Sequence, residues 1–150
     1  MTITLNPGEI KQVNVALTPL VSGAVTVTDC CTIKDMTLNK WAPRPCPAGH
    51  DFVAIIHGKN ESAYEVMFYL HAWFLSPSGQ IVGEAGEDMN RYYNADKTRG
   101  LQPGALFGGQ TNVATLSETG TWRVIAEIVY IPESAATPPV INCECEFEVA

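Results

Sequence analysis

The stretch Glu65–Glu84, EVMFYLHAWFLSPSGQIVGE, decides the fold that this chain adopts. Its first arm is the most hydrophobic run in the sequence, and the turn-forming residues 76–79 separate it from a second arm. Alternate side chains of a strand point to opposite faces of a sheet, so the first arm has one apolar and one amphipathic face. The apolar face carries Val66, Phe68, Leu70, Ala72 and Phe74. The amphipathic face carries Met67, Tyr69, His71, Trp73 and Leu75. This pattern predicts a central strand of a sandwich, with one face in the core and the other partly covered.

The other strong strands have the same period of two. Thr121–Ile131, TWRVIAEIVYI, is the expected core partner of the first arm, and Val140–Val149 closes the chain with a glutamate-bearing solvent face. The side chains expected to meet in the core are Phe68, Leu70 and Phe74 from one strand and Val124, Ala126 and Ile128 from the other. The closing strand is expected to share one face among Ile141, Cys143, Cys145, Phe147 and Val149. Short strands between turn signals, with no 3.6-residue apolar period, predict an all-β antiparallel sandwich.

The amino-terminal third predicts an extension of this sandwich. Strands are expected at Ala24–Thr28 and, with a period disturbed by Lys34 and Asp35, at Thr32–Trp41. Prolines at alternate positions within residues 43–47 favour an extended, stiff connection. This connection marks an approximate boundary between the N-terminal strands and the sandwich core. We expect residues 1–42 to form N-terminal strands or an arm and residues 43–150 to form the sandwich core, within one compact domain of 150 residues.

The charge balance points away from polyanionic partners. Nine Lys and Arg residues oppose sixteen Asp and Glu residues, giving a net charge of -7, and the cations are scattered from Lys11 to Arg123. Nucleic acids and anionic membranes bind clustered cations, so neither is expected as the main partner. No apolar run approaches the roughly 18 residues of a membrane helix, so membrane insertion is not expected. The amino terminus also lacks the pattern of a secretory signal.

Five cysteines form the most distinctive constellation, at Cys30-Cys31, Cys46 and Cys143-Glu144-Cys145. An odd count leaves at least one thiol outside any intrachain pairing. Disulfides are the favoured interpretation, tying the Cys30–Cys31 region or Cys46 to the last strand. Buried thiols that pack as small hydrophobes are one alternative. Zinc is another, with the spacing Cys46-x-x-x-His50 joined by the remaining cysteines, although the C-x-x-C knuckle is absent.

The polar composition of residues 85–104 predicts a long loop. Loops of this length within a compact domain are commonly functional or mobile. Tyr92 and Tyr93 stand next to Arg91, with Arg99 nearby. Exposed aromatic rings with arginine are typical of binding surfaces, so these four residues are the expected interaction surface. After the loop, residues 105–116 predict an irregular strand with a bulge at Gly108-Gly109.

Catalytic motifs are missing from the sequence. His57 and His71 lie within apolar strands, and such histidines are more often packed or edge residues than catalysts. Neither a Ser-His-Asp order nor a G-x-S-x-G elbow occurs. Glu127 is the only carboxylate deep in a strong strand, and we expect it to face solvent or to pair with Arg123.

From Ala48 onward, the order of elements resembles bacterial, archaeal and phage immunoglobulin-like domains of the adhesion-related kind. The matching pieces are FVAIIHGKNES (52–62), LSPSGQIVGE (75–84), LQPGALFGG (101–109) and ETGTWRVIAEIVY (118–130), and NPGEIKQVNVALTPL (6–20) resembles the first strands of such domains. The antibody-type Cys–Trp–Cys pattern is absent, because no cysteine lies on the strands of Trp73 or Trp122. The resemblance implies an immunoglobulin-like fold and no particular function.

These features predict a non-catalytic structural or adhesive module without a cofactor, which binds protein partners by self-association or in a larger assembly. A virion component, such as a capsid decoration or tail protein, and a subunit of an extracellular filament both fit, so a virion or extracellular location is favoured. Proline-rich segments at 43–47 and 132–139 would let terminal strands complete a neighbour's sheet. Two alternatives are a carbohydrate-binding module using Trp41, Tyr92 and Tyr93, and a metal-dependent enzyme using the Cys/His cluster.

Overall fold

The computed structural model describes residues 24–131 and 139–150, and the regular structure within them is all β. In chain order the strands are β1 (Val25–Asp35), β2 (Lys40–Trp41), β3 (Asp51–Asn60), β4 (Phe68–Leu75), β5 (Ile81–Ala85), β6 (Arg91–Tyr92), β7 (Leu106–Gln110), β8 (Ala114–Thr115), β9 (Gly120–Tyr130) and β10 (Val140–Val149). Among these residues no helix is long and apolar enough to cross a membrane. The strands predicted within residues 1–23 and the connection at residues 132–138 lie outside the described residues.

Two antiparallel sheets pack face to face, which confirms the predicted all-β sandwich. The first sheet has the order β2-β1-β3-β7, and β8 also pairs with β3. The second has the order β10-β9-β4-β5, and β6 also pairs with β4. Because β1 pairs with β3 along most of its length, residues 25–35 belong to the sandwich. The boundary predicted at residues 42–43 therefore does not separate β1 from the core.

The most hydrophobic strand, β4, lies at the centre of the second sheet. Its inward side chains are completely buried, whereas its outward side chains are partly covered, as the alternation predicts. Leu70 lies opposite Ile128 on β9, and Phe74 lies opposite Val124, so the two apolar strands meet as neighbours in one sheet. Full burial of each such side chain stabilises the fold by about 1.5–3 kcal/mol.

Bulges in β1 and β10 explain where the simple alternation fails. The register of β1 shifts twice, between Val27 and Asp29 and between Asp29 and Thr32, so one continuous strand changes the face that it buries before Cys30 and changes it back before Ile33. The predicted strand Ala24–Thr28 is therefore the first part of β1, whereas the predicted strand Thr32–Trp41 contains the end of β1, a turn and β2. In β10 the register shifts around Asn142, which turns Ile141 outward, away from the face predicted for it. The Asn142 side chain bonds Val27 N and Val25 O of β1 instead.

Two disulfides join the sheets at the same edge. Cys30 pairs with Cys143 across a Cα–Cα distance of 6.3 Å, and Cys31 pairs with Cys145 across 5.5 Å. β1 belongs to the first sheet and β10 to the second, so both bonds clamp this side of the sandwich. Cys46, which the disulfide prediction also included, is a free and buried thiol whose pKa is raised by burial.

Side-chain and main-chain hydrogen bonds join the two sheets at the opposite edge. The amide of Asn90 donates to Gln110 O and accepts from Gln110 N, which fastens the 85–90 segment to β7. Tyr92 OH donates to Gly108 O of the same strand. The main-chain N–H of Asn112 donates to Gly83 O, which fastens the end of β7 to β5. Each sheet edge on this side therefore has a partner from the other sheet.

The bulge predicted at Gly108-Gly109 is wrong, because β7 keeps an unbroken register with β3 from residue 106 to residue 110. Gly109 is required by close packing instead. A Cβ at this position would lie 2.5 Å from Leu70 Cδ2 and 3.0 Å from Tyr92 OH, whereas a Cβ at Gly108 would meet nothing closer than 3.9 Å.

Gly109→Ala is therefore expected to lower the free energy of unfolding by about 1–3 kcal/mol, the usual cost of overpacking a core. Urea unfolding followed by tryptophan fluorescence measures this loss. Gly108→Ala, on the adjacent residue of the same strand, is the matched control and should change stability much less. Equal effects of the two substitutions would show that the packing around Gly109 is not the cause.

The two disulfides close nearly the same loop, with sequence separations of 113 and 114 residues. Chain entropy then predicts that one bond alone supplies most of the stabilisation, about 4–5 kcal/mol for such a loop. We expect Cys31→Ala with Cys145→Ala to cost about 1 kcal/mol, and removal of both disulfides to cost about 5–6 kcal/mol, in urea titrations. Two equal and additive losses would contradict this account.

Candidate interaction surface

Tyr92 was expected on the surface, but it fills the edge of the core. Its ring stacks on Phe68 with centroids 4.8 Å apart and lies 4.9 Å from the ring of Phe107. Burial raises the pKa of Tyr92 to about 12. The cause is the pairing of β6 with β4, which places Tyr92 opposite Phe68 and directs the ring between the sheets.

Tyr93 is also covered, since only 8% of it is exposed. Its hydroxyl donates to Glu87, and the Arg91 guanidinium lies 5.6 Å from its ring centroid. Arg91 and Arg99 are exposed. Of the four residues predicted to form the interaction surface, the two arginines are therefore at the surface and the two tyrosine rings are largely covered. The premise of an exposed aromatic pair is therefore wrong.

The 85–104 loop is extensively tied to the sandwich. Val66 and Leu101 exchange both main-chain hydrogen bonds, at 3.0 and 2.8 Å. Within the loop, Asn94 Oδ1 accepts from the N–H groups of Thr98 and Arg99. Its polar side chains thus satisfy the loop's own backbone and the neighbouring sheet edge.

The cysteines and His50 do not gather into a metal centre. Four of the cysteines are joined in disulfides, so their sulfur atoms are not available as thiolate ligands. Cys46 is buried, and His50 Nδ1 lies 2.8 Å from Asp35 Oδ2. Within the described part of the chain, no group of three His, Cys, Asp or Glu side chains is placed to hold a metal ion.

His71 lies on the outward face of the second sheet between two carboxylates. Its Nδ1 is 2.6 Å from Glu127 Oε1, and its Nε2 is 3.4 Å from Glu84 Oε1. The Trp73 ring packs against the imidazole at 4.6 Å. Glu127 therefore pairs with a histidine on β4, rather than with Arg123 as expected. This cluster is a packed surface group, which agrees with the interpretation of His71 as a packed residue.

The turn between β1 and β2 presents an apolar surface that the sequence did not reveal. Three side chains at this hairpin, termed here the hairpin patch, are Met36, Leu38 and Trp41, with 40%, 48% and 65% of their surface exposed. Trp41 was expected as the end of a longer strand or as part of a sugar-binding set. Because Tyr92 and Tyr93 are covered, that set is not assembled around Trp41.

Buried polar contacts hold this hairpin in place. Asp35 is completely buried, and its carboxylate accepts a 2.9 Å hydrogen bond from Leu38 N and faces His50 Nδ1. Met36 N donates to Asp51 O, which ties the turn to β3. Asn39 adopts a positive φ of 50°, a conformation that asparagine tolerates better than most residues. The backbone that carries the patch is therefore anchored to the sandwich.

The same contacts set the ionisation of Asp35. Burial by itself raises its pKa, but the hydrogen bonds from His50 and from Leu38 N outweigh burial and hold the pKa below the ordinary value of 3.8. Asp35 is consequently an ionised group at the base of the hairpin at neutral pH.

Cations accompany the hairpin patch. Lys34 lies opposite Trp41 in the β1–β2 pair, and Lys40 lies opposite Asp35. Arg44 follows β2, and its guanidinium donates a 2.7 Å hydrogen bond to Cys31 O of β1. Three of the nine Lys and Arg residues thus lie along one edge of β1, on a chain whose net charge is -7.

No protein-family model matches this sequence, and no curated protein matches it. The fold is similar to the crystal structure of the C-terminal domain of Wzt, with a TM-score of 0.57, 8% identity, and coverage of 85% of this chain and 74% of that chain. It is also similar to part of the Pseudomonas fluorescens alkylpurine DNA glycosylase AlkC, solved bound to DNA containing an abasic site analog. There the TM-score is 0.52 and the identity 9%, and 85% of this chain matches 30% of that one.

A third similar structure is the CARDB domain of a Pyrococcus furiosus protein, solved in complex with di-metal ions, with a TM-score of 0.45, 16% identity, and coverage of 84% and 85% of the two chains. Identities this low concern the fold alone. The two structures with TM-scores of 0.57 and 0.52 support the coarser part of the resemblance drawn from the sequence, which is a β-sandwich fold.

The buried carboxylate predicts a specific pH dependence. Since the folded pKa of Asp35 lies below 3.8, its ionised form stabilises the fold above that pH, and this contribution is lost as the pH falls through the folded pKa. Asp35→Asn should therefore lower the melting temperature at pH 7 and converge with the wild type in strong acid. Asp88→Asn, at an exposed carboxylate, is the control. A difference in melting temperature between Asp35→Asn and the wild type that stays constant down to acid pH would contradict the role of the Asp35 charge.

Proposed function

We propose that this chain is a non-catalytic, immunoglobulin-like structural module that binds protein partners through the hairpin patch as part of an assembly. The observation that carries the proposal is the preorganised exposure of Met36, Leu38 and Trp41 on one hairpin. Methionine and aromatic side chains are enriched at the centres of protein interfaces, and tryptophan is among the residues that dominate binding energy.

The energetics of the hairpin favour a partner. Asp35 and the turn hydrogen bonds hold the hairpin backbone in place, so little backbone conformational entropy is lost when the apolar side chains are covered. Covering apolar surface releases about 25 cal/mol for each Å² removed from water. A rigid, apolar and partly basic hairpin therefore favours a partner whose surface is apolar with acidic groups at its rim.

The disulfides bear on where this binding takes place. Two such bonds in one small domain are typical of proteins that work in oxidising surroundings, such as the cell exterior or a virion surface. This supports a secreted or virion-associated module, as the sequence predicted, over a module of a reducing cytosol. Capsid decoration and extracellular filament formation are both assemblies of this kind.

Replacing part of the hairpin patch tests the proposal. Leu38→Ser with Trp41→Ser should weaken binding to a protein partner by about tenfold or more, because exposed anchors of this type supply most of an interface's energy. The immobilised chain and its variant are compared for partners retained from the native source, and each retained partner is then measured by titration. The urea midpoint of each variant confirms that it folds.

Leu106→Ser is the matched control, because Leu106 is also an exposed leucine, 76% accessible, but lies on β7 away from the hairpin. Partners retained by the wild type and by the control, but lost by the hairpin variant, support the proposal. Equal retention by all three proteins would overturn it.

A further inference from the structure

An open depression of about 610 Å³ lies beside the carboxyl-terminal end of β10. It begins at Arg44, three residues beyond Trp41, so it lies next to the hairpin along the chain. Pro45 and Phe147 give it an apolar lining, while Glu146 and Glu148 stand at its side. A pocket of this volume is large enough for an aromatic side chain.

The charges around the depression are well defined. The Arg44 guanidinium lies 5.5 Å from the Phe147 ring centroid and is held there by its hydrogen bond to Cys31 O. Glu146 and Glu148 alternate with Phe147 along β10, so both carboxylates point to the solvent side of the strand. The Glu146 side chain is 69% exposed and lies 3.9 Å from Arg123. The depression thus suits an apolar ring that carries an ammonium group next to it.

The hairpin provides that combination, since Lys34 lies directly opposite Trp41 in the β1–β2 pair and opposed residues project from the same face of a sheet. Trp41 does not occupy the depression of its own chain, because 65% of its surface is accessible. A second copy of the chain would bring the same Lys34–Trp41 pair. Because the hairpin and the depression adjoin each other on one chain, a two-fold axis would make both contacts at once, as isologous dimers do.

We infer that the partner of the hairpin patch is a second copy of this chain, in a two-fold dimer that places Trp41 of each copy in the depression of the other and Lys34 beside Glu146. The inference rests on the proposed function, because it names the partner for the same surface. It assigns the hairpin patch as the apolar anchor and the glutamates of β10 as its acidic complement.

Complementary charge reversals test the dimer. Sedimentation velocity from about 1 μM to about 1 mM should show the wild type passing from 16.3 kDa to twice that mass. Lys34→Glu alone and Glu146→Lys alone should each raise the dissociation constant about tenfold or more, because each homodimer then has two like-charge contacts. An equimolar mixture of the two variants should restore the dimer, since both contacts again join opposite charges.

Three outcomes would overturn the inference: a wild type that stays monomeric to about 1 mM, charge variants that associate as the wild type does, or growth beyond the dimer. The proposed function fails separately. If the wild type remains a monomer but a different protein binds it in a manner that Leu38→Ser with Trp41→Ser abolishes, self-docking is wrong and the proposed function stands. If neither association occurs, both are wrong.

Discussion

The paired disulfides between β1 and β10 are the constraint on which this sandwich depends. β1 belongs to one sheet and β10 to the other, so Cys30–Cys143 and Cys31–Cys145 fix the separation of the sheets along one edge. β1 continues from this clamp into the hairpin, and Arg44, after the hairpin, returns to bond Cys31 O. The clamp therefore positions both the hairpin patch and the depression beside β10.

The periodic strands could be predicted from the sequence because their side chains alternate without interruption. β4 and β9 each place a continuous apolar face in the core, and their pairing follows from that. β1 could not be predicted in the same way, since two register shifts, the second a bulge at Cys30-Cys31, change the buried face and change it back within one strand. The exact cysteine pairing depends on that bulge and on the one at Asn142, and neither leaves a signal in residue spacing.

The candidate surface escaped prediction for a related reason. Met36, Leu38 and Trp41 have the composition of a core strand, and only the turn that Asp35 and Asn39 stabilise places them in solvent. Conversely, Tyr92 and Tyr93 have the composition of a binding surface, yet the pairing of β6 with β4 covers them. Exposure is set by tertiary pairing in both cases. The functional interpretation accordingly moves from the 85–104 loop to the opposite edge of the sandwich.

Hydroxyl-radical footprinting of the self-associated chain tests the central claim most directly, which is that the hairpin patch is covered by a second copy of the chain. Met36 and Met89 have similar exposure, 40% and 46%, so Met89 provides an internal standard in the same sample. The account predicts that oxidation of Met36 and Trp41 falls as the protein concentration rises, while oxidation of Met89 does not change. Unchanged oxidation of Met36 and Trp41 across that range would contradict it.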